Sequence, residues 1–346
     1  FIMATDTAVK SLIAHDVYYD IIITKDVKKS DAHLKNEKCH KKPIIADICS
    51  KNSILETNKG RKIWNNTSNF MCQLYAKYGL EYTSCMLGMS VATDAFTVVE
   101  LIGAKRIVFI GQDLAYDGEY SHAGSVANHK YDNINGIYEI EGIYGDKVKA
   151  RGDWVDMLQW FEAEIAKAGS DIDATEGGAK IHGTRVMKLS EVIEQYCNTE
   201  FDFQKLLGEI PPTFSDEAYK NLREDIYHLK TELSDIYKHS KEGIEAVDKM
   251  IVILDENKSE QYAGELAEKS EVAKKDMKFI EKQLVYQIIN DYMETKIESA
   301  LKINMLGDNK IENAKFSCKL SKEAFNAAIE TVDYAMPILE KALETI

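Results

Sequence analysis

Polar residues follow directly after the apolar run RIVFI, at residues 106–110. Such a run predicts a buried strand, and polar groups at its end are costly to bury unless they are paired or bind a ligand. The stretch GQDLAY, which carries Gly111, Gln112, Asp113 and Tyr116, therefore predicts a binding site at a strand end. A glycine turn, a helix-capping aspartate and a packed tyrosine would explain the same residues.

Two further stretches are candidates for binding a ligand. Gly88 and Ser90 lead into a helical pattern that stops at Gly103, and N–H groups exposed at a helix start favour a phosphate. Ser90 would equally serve as an ordinary N-cap. Glu176, Gly177 and Gly178 follow the strand-like run DIDAT, where paired glycines predict at least a tight turn.

Candidate acids and a candidate base complete the set. Asp6 and Asp26 each follow a predicted strand. Together with Asp113 and Glu176 they would place four carboxylates on one rim, which suits hydrogen bonds to sugar hydroxyls or a metal. Single aspartates after strands are also common turn formers. His122 follows GQDLAY and is a candidate general base, because histidine titrates near neutral pH.

The elements that position these residues alternate between strand and helix from residue 1 to about 200. That rhythm predicts an α/β fold: a Rossmann-like parallel sheet with helices on both faces, which binds ligands at the carboxyl ends of its strands. The predicted strands are 1–5, 20–24, 43–47, 106–111 and 171–175. The predicted helices between them are 64–78, 91–103 and 152–168.

The amino-acid composition changes after Ser215, where the chain becomes charged and nearly free of glycine. Apolar residues then repeat at alternating spacings of three and four, which predicts a helical seam. The seam residues are Tyr219, Leu222, Ile226, Leu229, Leu233, Ile236, Val247, Met250 and Leu254. Further helices are expected at about 261–305 and 311–345, giving an all-α helical bundle. We therefore predict a nucleotide-sugar-binding catalytic domain at 1–205 and a bundle at 213–346, joined near Pro211 and Pro212.

Composition limits the classes of partner. The 346 residues carry a net charge of −14, which disfavours nucleic acid and anionic membranes. The six cysteines form no CxxC pair, which is typical of a reduced, cytoplasmic protein. Apolar runs are too short to predict a membrane span. Because the chain starts inside a predicted strand, we expect that an N-terminal part is missing.

Several segments, in this order, resemble the motility-associated factor (Maf) glycosyltransferases of flagellated bacteria. They are IMATDTAVKSLIAHDVYYDIIITKD (2–26), GMSVATDAFTVVELIGAKRIVFIGQDLAY (88–116), SHA (121–123) and DATEGGAKIHGT (173–184). The resemblance covers residues 1 to about 195. Two departures stand out: Tyr19 replaces the family's proline, and the glycine-rich turn that precedes the first strand in the family is absent.

This resemblance implies an inverting, sialyltransferase-like enzyme that moves a pseudaminic- or legionaminic-type nonulosonic acid from a CMP-sugar to Ser or Thr of flagellin. It implies no metal and no cofactor besides that donor substrate. The residues it implies for the CMP moiety are Asp6, Gly88 and Ser90, and Asp26 is a further residue expected to bind the donor. Those for the sugar, the phosphate and the opposite wall are Gln112, Asp113, Tyr116, Glu176, Gly177 and Gly178.

The general base is expected to be His122, with Asp113 as the second choice.

Two alternative functions stay open. One is a Mg²⁺-dependent diphosphokinase, since the core also resembles archaeal pterin pyrophosphokinases. The other is a non-catalytic protein that binds flagellin through the seam of the helical region; in the transferase hypothesis the same bundle presents the acceptor, as a helical partner for helical flagellin ends.

Overall fold

The computed structural model describes residues 1–26, 34–47, 50–65, 89–117, 136–169, 171–212, 215–256, 258–286, 290 and 309–345. The chain divides into two compact units, Phe1–Pro211 and Pro212–Ile346. The first is mixed α/β and the second is helical, so the predicted fold class is confirmed.

A four-stranded parallel sheet begins the first unit, with its strands in the order of the chain. Its elements are β1 (Met3–Thr5), α1 (Asp6–Ala14), β2 (Ile21–Thr24), α2 (Glu37–His40), β3 (Ile44–Asp47), α3 (Asn52–Thr57) and β4 (Lys62–Asn65). Every residue of β2 and β3 is buried. β-branched side chains suit strands covered on both faces, which is why the isoleucines of β2 predict this strand well.

The edge strand β4 corrects the sequence prediction. A helix was expected from residue 64, but Ile63 and Trp64 pair with Ile45 and Ala46 of β3. The remaining predicted helix, 66–78, lies outside the described residues. A short run with few buried side chains carries little local preference, so pairing with β3 decides its conformation.

Helix α4 (Val91–Leu101) confirms the predicted helix at 91–103 to within two residues. Its residues Val91, Ala95 and Val98 pack against the buried isoleucines of β2 and β3. On the opposite face of the sheet, residues of α1 pack beside Ile22 and Ile44. Helices therefore cover both faces, as predicted.

A second parallel sheet has the order β5-β8-β9. The elements after α4 are β5 (Val108–Phe109), β6 (Ile137–Glu141), β7 (Lys147–Arg151), α5 (Gly152–Ala168), β8 (Ile172–Asp173) and β9 (Arg185–Val186). α6 (Leu189–Tyr196) and α7 (Phe203–Glu209) follow. The predicted strands at 106–111 and 171–175 are each reduced to two ladder residues, and α5 matches the predicted helix at 152–168.

The antiparallel hairpin of β6 and β7 was not predicted. Its sequence is strongly charged and most of its residues are exposed or half-buried, so it lacks the apolar alternation of a buried strand. His182 joins it to α5: its Nδ1 lies 2.5 Å from Glu162 Oε1 and its Nε2 lies 3.2 Å from Glu141 Oε2. The hydrogen bond to Glu162, with a further contribution from Glu141, raises the pKa of His182.

The end of the first unit is tied back to the sheet by Arg61, which directly precedes β4. Its guanidinium donates to the carbonyl oxygens of Leu207 at 2.5 Å, Ile210 at 2.6 Å and Pro211 at 2.9 Å. A planar group with five donors can hold several carbonyls in this way.

The helical unit contains α8 (Asp216–Asp255), α9 (Ala263–Glu281) and α10 (Lys310–Thr345). The seam residues Leu229, Leu233, Ile236, Val247 and Leu254 are buried, whereas Met250 is half-buried and Tyr219 is exposed. The predicted helix at about 261–305 is not continuous, because α9 ends at Glu281; residues 287–289 and 291–305 lie outside the described residues. Among the described residues, no helix has the length and apolar character needed to span a membrane.

Candidate functional site

Asp6 and Thr24 join the carboxyl ends of β1 and β2. The Thr24 hydroxyl donates to Asp6 Oδ2 at 2.8 Å, and the backbone N–H of Thr7 donates to Asp6 Oδ1 at 2.7 Å. Asp6 is 1% exposed, so its carboxylate stabilises the sheet edge through these two hydrogen bonds. Asp26 lies exposed after β2.

An ion pair connects the same edge to the first turn of α4. Lys25 Nζ lies 3.0 Å from Asp94 Oδ2. The Asp94 side chain is buried, whereas about a third of the Lys25 side chain is exposed, 32%. Lys25 therefore places a positive charge at the carboxyl edge of the sheet, where a phosphate could approach it. Sequence reasoning overlooked this lysine because a single charge after a strand carries no periodic signal.

Ser90 is the N-cap of α4. Its Oγ accepts from the N–H of Thr93 at 3.2 Å, and Thr93 Oγ1 accepts from the N–H of Ser90 at 2.9 Å. This capping box occupies two of the N–H groups that the sequence assigned to a phosphate. The local role of Ser90 is therefore capping, and Gly88 lies outside the described residues.

Hydrogen bonds also hold the ends of β5 and β8 together. The N–H of Gln112 donates to Thr175 Oγ1 at 3.2 Å, and the N–H of Ala179 donates to the carbonyl oxygen of Asp113 at 2.7 Å. Glu176 is exposed on the turn between them. The structure thus brings together the GQDLAY stretch and the paired-glycine turn, as the sequence predicted.

Gly178 makes this junction possible. Its φ is +82°, and a Cβ added there would lie 2.2 Å from the carbonyl oxygen of Asp113. Only glycine satisfies both the left-handed backbone and this close approach. Gly177 is different, because a Cβ added to it would meet no atom within 4 Å.

The carboxyl groups of Asp113 and Asp173 at this junction both have raised pKa values. Burial raises the pKa of Asp113, and the nearby charges of Asp117 and Asp173 raise it further. Asp173 is fully buried, and its own pKa is raised by burial. Its Oδ1 accepts from the N–H of Thr175 at 3.0 Å. Within the described part of the chain, its Oδ2 has no hydrogen-bond partner.

A carboxylate with a raised pKa is a better proton acceptor near neutral pH than an ordinary aspartate. Asp113 therefore has the chemistry of a general base. Sequence reasoning missed Asp173, which lies inside a predicted strand. The available signal was an acid within an otherwise apolar run, since isolated buried acids cluster at functional sites.

Tyr116 is placed differently from the prediction. It is 8% exposed and packs in the apolar core, with its ring centroid 4.8 Å from that of Trp154. Its N–H donates to the carbonyl oxygen of Lys149 in β7. This is the position of a core aromatic residue rather than of a side chain on the rim. His122 lies outside the described residues, so its role stays a prediction.

Helix α4 connects the first sheet to β5. The Lys25–Asp94 pair fixes the start of α4 at the carboxyl edge of the first sheet. α4 then runs back along that sheet and leads into β5, with Phe96 stacked on Phe109 at 5.8 Å. The carboxyl edges of parallel strands are where α/β sheets bind ligands.

Two other features lie apart from these groups. A surface depression of about 450 Å³ is lined by Tyr138, Gly152, Asp153, Val155 and Asp156, none of which belongs to the strand-end groups. Among the described residues, the cluster of side chains with metal-ligand spacing lies in the helical unit, at His239, Glu242 and Asp276.

The four predicted rim acids are divided between the two sheets, Asp6 and Asp26 on one and Asp113 and Glu176 on the other.

Comparison with known proteins gives two similarities. Residues 1–119 match a family model described as 6-hydroxymethylpterin diphosphokinase MptE-like. The fold is similar to the structure of a Maf glycosyltransferase from Magnetospirillum magneticum AMB-1, with a TM-score of 0.53 and 12% sequence identity. That alignment covers 100% of this chain and 52% of the Maf chain, so this chain spans about half of its length. No curated protein matches the sequence.

At this identity the structural similarity describes the fold. The Maf-like resemblance predicted from sequence is confirmed at that level.

Proposed function

We propose that this chain is a glycosyltransferase that moves a sugar from a nucleotide donor to a protein hydroxyl group. The observation that carries the proposal is Asp113, a carboxyl group with a raised pKa held at a strand end by the Gly178 turn. The Maf-like fold supports the same reaction class. In finer detail, we propose a nonulosonic acid as the sugar, CMP as the leaving group and flagellin as the acceptor.

In this mechanism Asp113 accepts the proton of the acceptor Ser or Thr hydroxyl. The hydroxyl oxygen attacks the anomeric carbon as the bond to the CMP phosphate breaks, and CMP leaves with the bonding electrons. Attack on the face opposite CMP inverts the configuration. Burial and the nearby charges of Asp117 and Asp173 raise the pKa of Asp113, which makes Asp113 a stronger base. Lys25 supplies a positive charge for the phosphate.

The direct test combines the purified chain, a CMP-activated nonulosonic acid and flagellin, and measures CMP release together with the mass of flagellin. Asp113→Asn should lower the rate by about 100-fold or more, the usual contribution of a general base. The exposed Asp156→Asn, which removes the same charge elsewhere in the unit, should retain the rate. If both variants keep full activity while the parent protein is active, Asp113 is not the base, and His122→Ala tests the remaining assignment.

The pH dependence adds a second check. A general base must be deprotonated to act, so the rate should rise as pH increases through the raised pKa of Asp113. In cells, the intact mass of flagellin with and without the gene tests the acceptor. Loss of the glycan mass would support flagellin, whereas an unchanged mass would exclude flagellin as the acceptor under those conditions.

A second candidate function is a Mg²⁺-dependent diphosphokinase, which the family match over residues 1–119 favours. In that reaction a hydroxymethyl oxygen of a pterin attacks the β-phosphorus of ATP, the diphosphate group is transferred, and AMP leaves. Parallel assays with ATP, pterin and Mg²⁺ separate the two reactions by their products, AMP or CMP. Flagellin capture without either product would instead support a binding protein.

A further inference from the structure

Three side chains of the helical unit converge between α8 and α9. His239 and Glu242 lie one turn apart on α8, and Asp276 faces them from α9. One potential ligand atom from each residue lies within 4.8 Å of the other two. His239 Nδ1 is 2.9 Å from Asp276 Oδ1 and 3.8 Å from Glu242 Oε2.

The buried member of this cluster is incompletely satisfied. Asp276 is 4% exposed, and its Oδ1 is bonded to His239. Its second oxygen, Oδ2, is buried and has no hydrogen-bond partner in the described part of the chain. A buried carboxylate oxygen without a partner is strongly unfavourable, and each such group in a native protein calls for a ligand or another explanation.

The imidazole ring is held in place for ligation. The ring of His239 lies against Phe279, one turn beyond Asp276, with ring centroids 4.0 Å apart. This packing limits rotation of the ring while Nδ1 points to the carboxylates. His239 and Asp276 are largely buried, and Glu242 reaches the cluster from the surface.

Charge in the cluster favours a divalent cation. Two carboxylates face one imidazole, so protonation of His239 leaves a net charge of −1 among the three groups. A divalent cation bound by a neutral imidazole and both carboxylates brings the sum to zero. When the Asp276 carboxylate binds the ion through both oxygens, Oδ2 also gains a partner.

We propose that His239, Glu242 and Asp276 form a binding site for a divalent transition-metal ion, for which Zn²⁺ is the probe. A mixed nitrogen and oxygen donor set suits Zn²⁺ and related ions, whereas Mg²⁺ and Ca²⁺ prefer oxygen ligands. Tetrahedral Zn²⁺ with bonds of about 2.0–2.1 Å separates its ligand atoms by roughly 3.3–3.4 Å. The two distances measured from Nδ1, 2.9 and 3.8 Å, lie on either side of that value.

Such an ion would cross-link α8 and α9 and leave one coordination position for water. The site is independent of the function proposed for the first unit. Its expected effect is structural, because a ligand that binds only the folded state stabilises that state.

The test uses the full chain, freed of metal with a chelator and then titrated with Zn²⁺ in a calorimeter. The parent protein should bind one tight equivalent of Zn²⁺ that Asp276→Asn does not bind. The melting temperature measured by helical circular dichroism should rise with Zn²⁺ in the parent protein and not in Asp276→Asn. Glu242→Gln should weaken that binding step about tenfold or more. Glu245→Gln, which removes an exposed charge on the same helix, should bind Zn²⁺ as the parent does.

Cysteine thiolates are Zn²⁺ ligands in general, so the same proteins are also loaded with Co²⁺ to identify the donor atoms. The absorption that is lost on Asp276→Asn should lack thiolate charge-transfer bands, since the three proposed ligands contain no sulfur. Identical Zn²⁺ and Co²⁺ titrations of the parent protein and Glu242→Gln would overturn the proposal. Glu242→Gln is decisive even if Asp276→Asn fails to fold, because the Glu242 side chain is half exposed, 48%.

Discussion

Replacement of Gly243 by alanine sets helix propensity against packing. Gly243 lies inside α8, where alanine is favoured over glycine by about 1 kcal/mol. A Cβ at this position would, however, lie 2.3 Å from Phe325 Cζ and 2.6 Å from both ring Cε atoms. Phe325 is 0% exposed in α10, so its ring has no solvent into which it can move.

Packing should win this competition. Carbon atoms in contact normally lie about 3.5–4.0 Å apart, so the added Cβ would overlap each of three ring atoms by about 1 Å. Overpacking of this kind costs about 1–3 kcal/mol, and the upper end applies where helices must separate. After the propensity gain is subtracted, we expect Gly243→Ala to lower the free energy of unfolding of the helical unit by about 2 kcal/mol.

Urea denaturation measures this change through two probes. All three tryptophans, Trp64, Trp154 and Trp160, lie in the first unit, so their fluorescence reports that unit, and helical circular dichroism adds the bundle. Gly243→Ala should move the circular-dichroism transition to lower urea. The matched control is Gly264→Ala in α9, where an added Cβ meets no atom within 4 Å, so that propensity alone applies and stability should rise by up to about 1 kcal/mol.

A double-mutant cycle tests the cause of the effect. Phe325→Leu shortens the side chain that Gly243 approaches, so adding Gly243→Ala to it should cost at least about 1 kcal/mol less than in the parent protein. If Gly243→Ala stabilises the bundle as much as Gly264→Ala does, the close packing of α8 on α10 described above is wrong.

Three further predictions concern the first unit. Gly178→Ala should destabilise it by more than about 2 kcal/mol in tryptophan-monitored unfolding, because positive φ and a backbone clash combine there; equal behaviour of the open Gly177→Ala control would contradict this. The raised pKa of His182 contributes stability that is complete below its unfolded pKa and is lost as pH rises through the folded value. His182→Gln should therefore cost about 0.5 kcal/mol at about pH 5.5 and nearly nothing at about pH 9, a small effect because the pair is exposed; a pH-independent difference would refute it. Arg61→Met should cost about 1–3 kcal/mol and speed limited proteolysis near 211–212 severalfold, whereas unchanged cleavage would show that its three carbonyl contacts do not hold that segment.

The first-unit strands were predictable where a local pattern existed. Three consecutive isoleucines in β2 required burial on both faces, and α4 and α5 carried helical periodicity, so their bounds were predicted to within two residues. β4 and the hairpin of β6 and β7 have no such pattern. Their conformation depends on pairing with strands that the local sequence does not specify.

The long helices of the second unit follow the same rule. The repeat of α8 identified its buried seam from Leu229 onward, since residues three and four apart share one face of a helix. The end of α9 at Glu281 carried no glycine or proline signal, so the sequence prediction continued the helix beyond it.

For the candidate site, sequence alone determined that polar groups collect where apolar strands end, because strand burial is a local property of residue type. Only the tertiary structure decided which of those groups are already engaged. Ser90 caps its own helix, Tyr116 packs in the core and Asp6 bonds to Thr24, whereas burial and the charges of Asp117 and Asp173 raise the pKa of Asp113. Hydrogen-bond partners and desolvation depend on residues distant in the chain, and no local spacing encodes them.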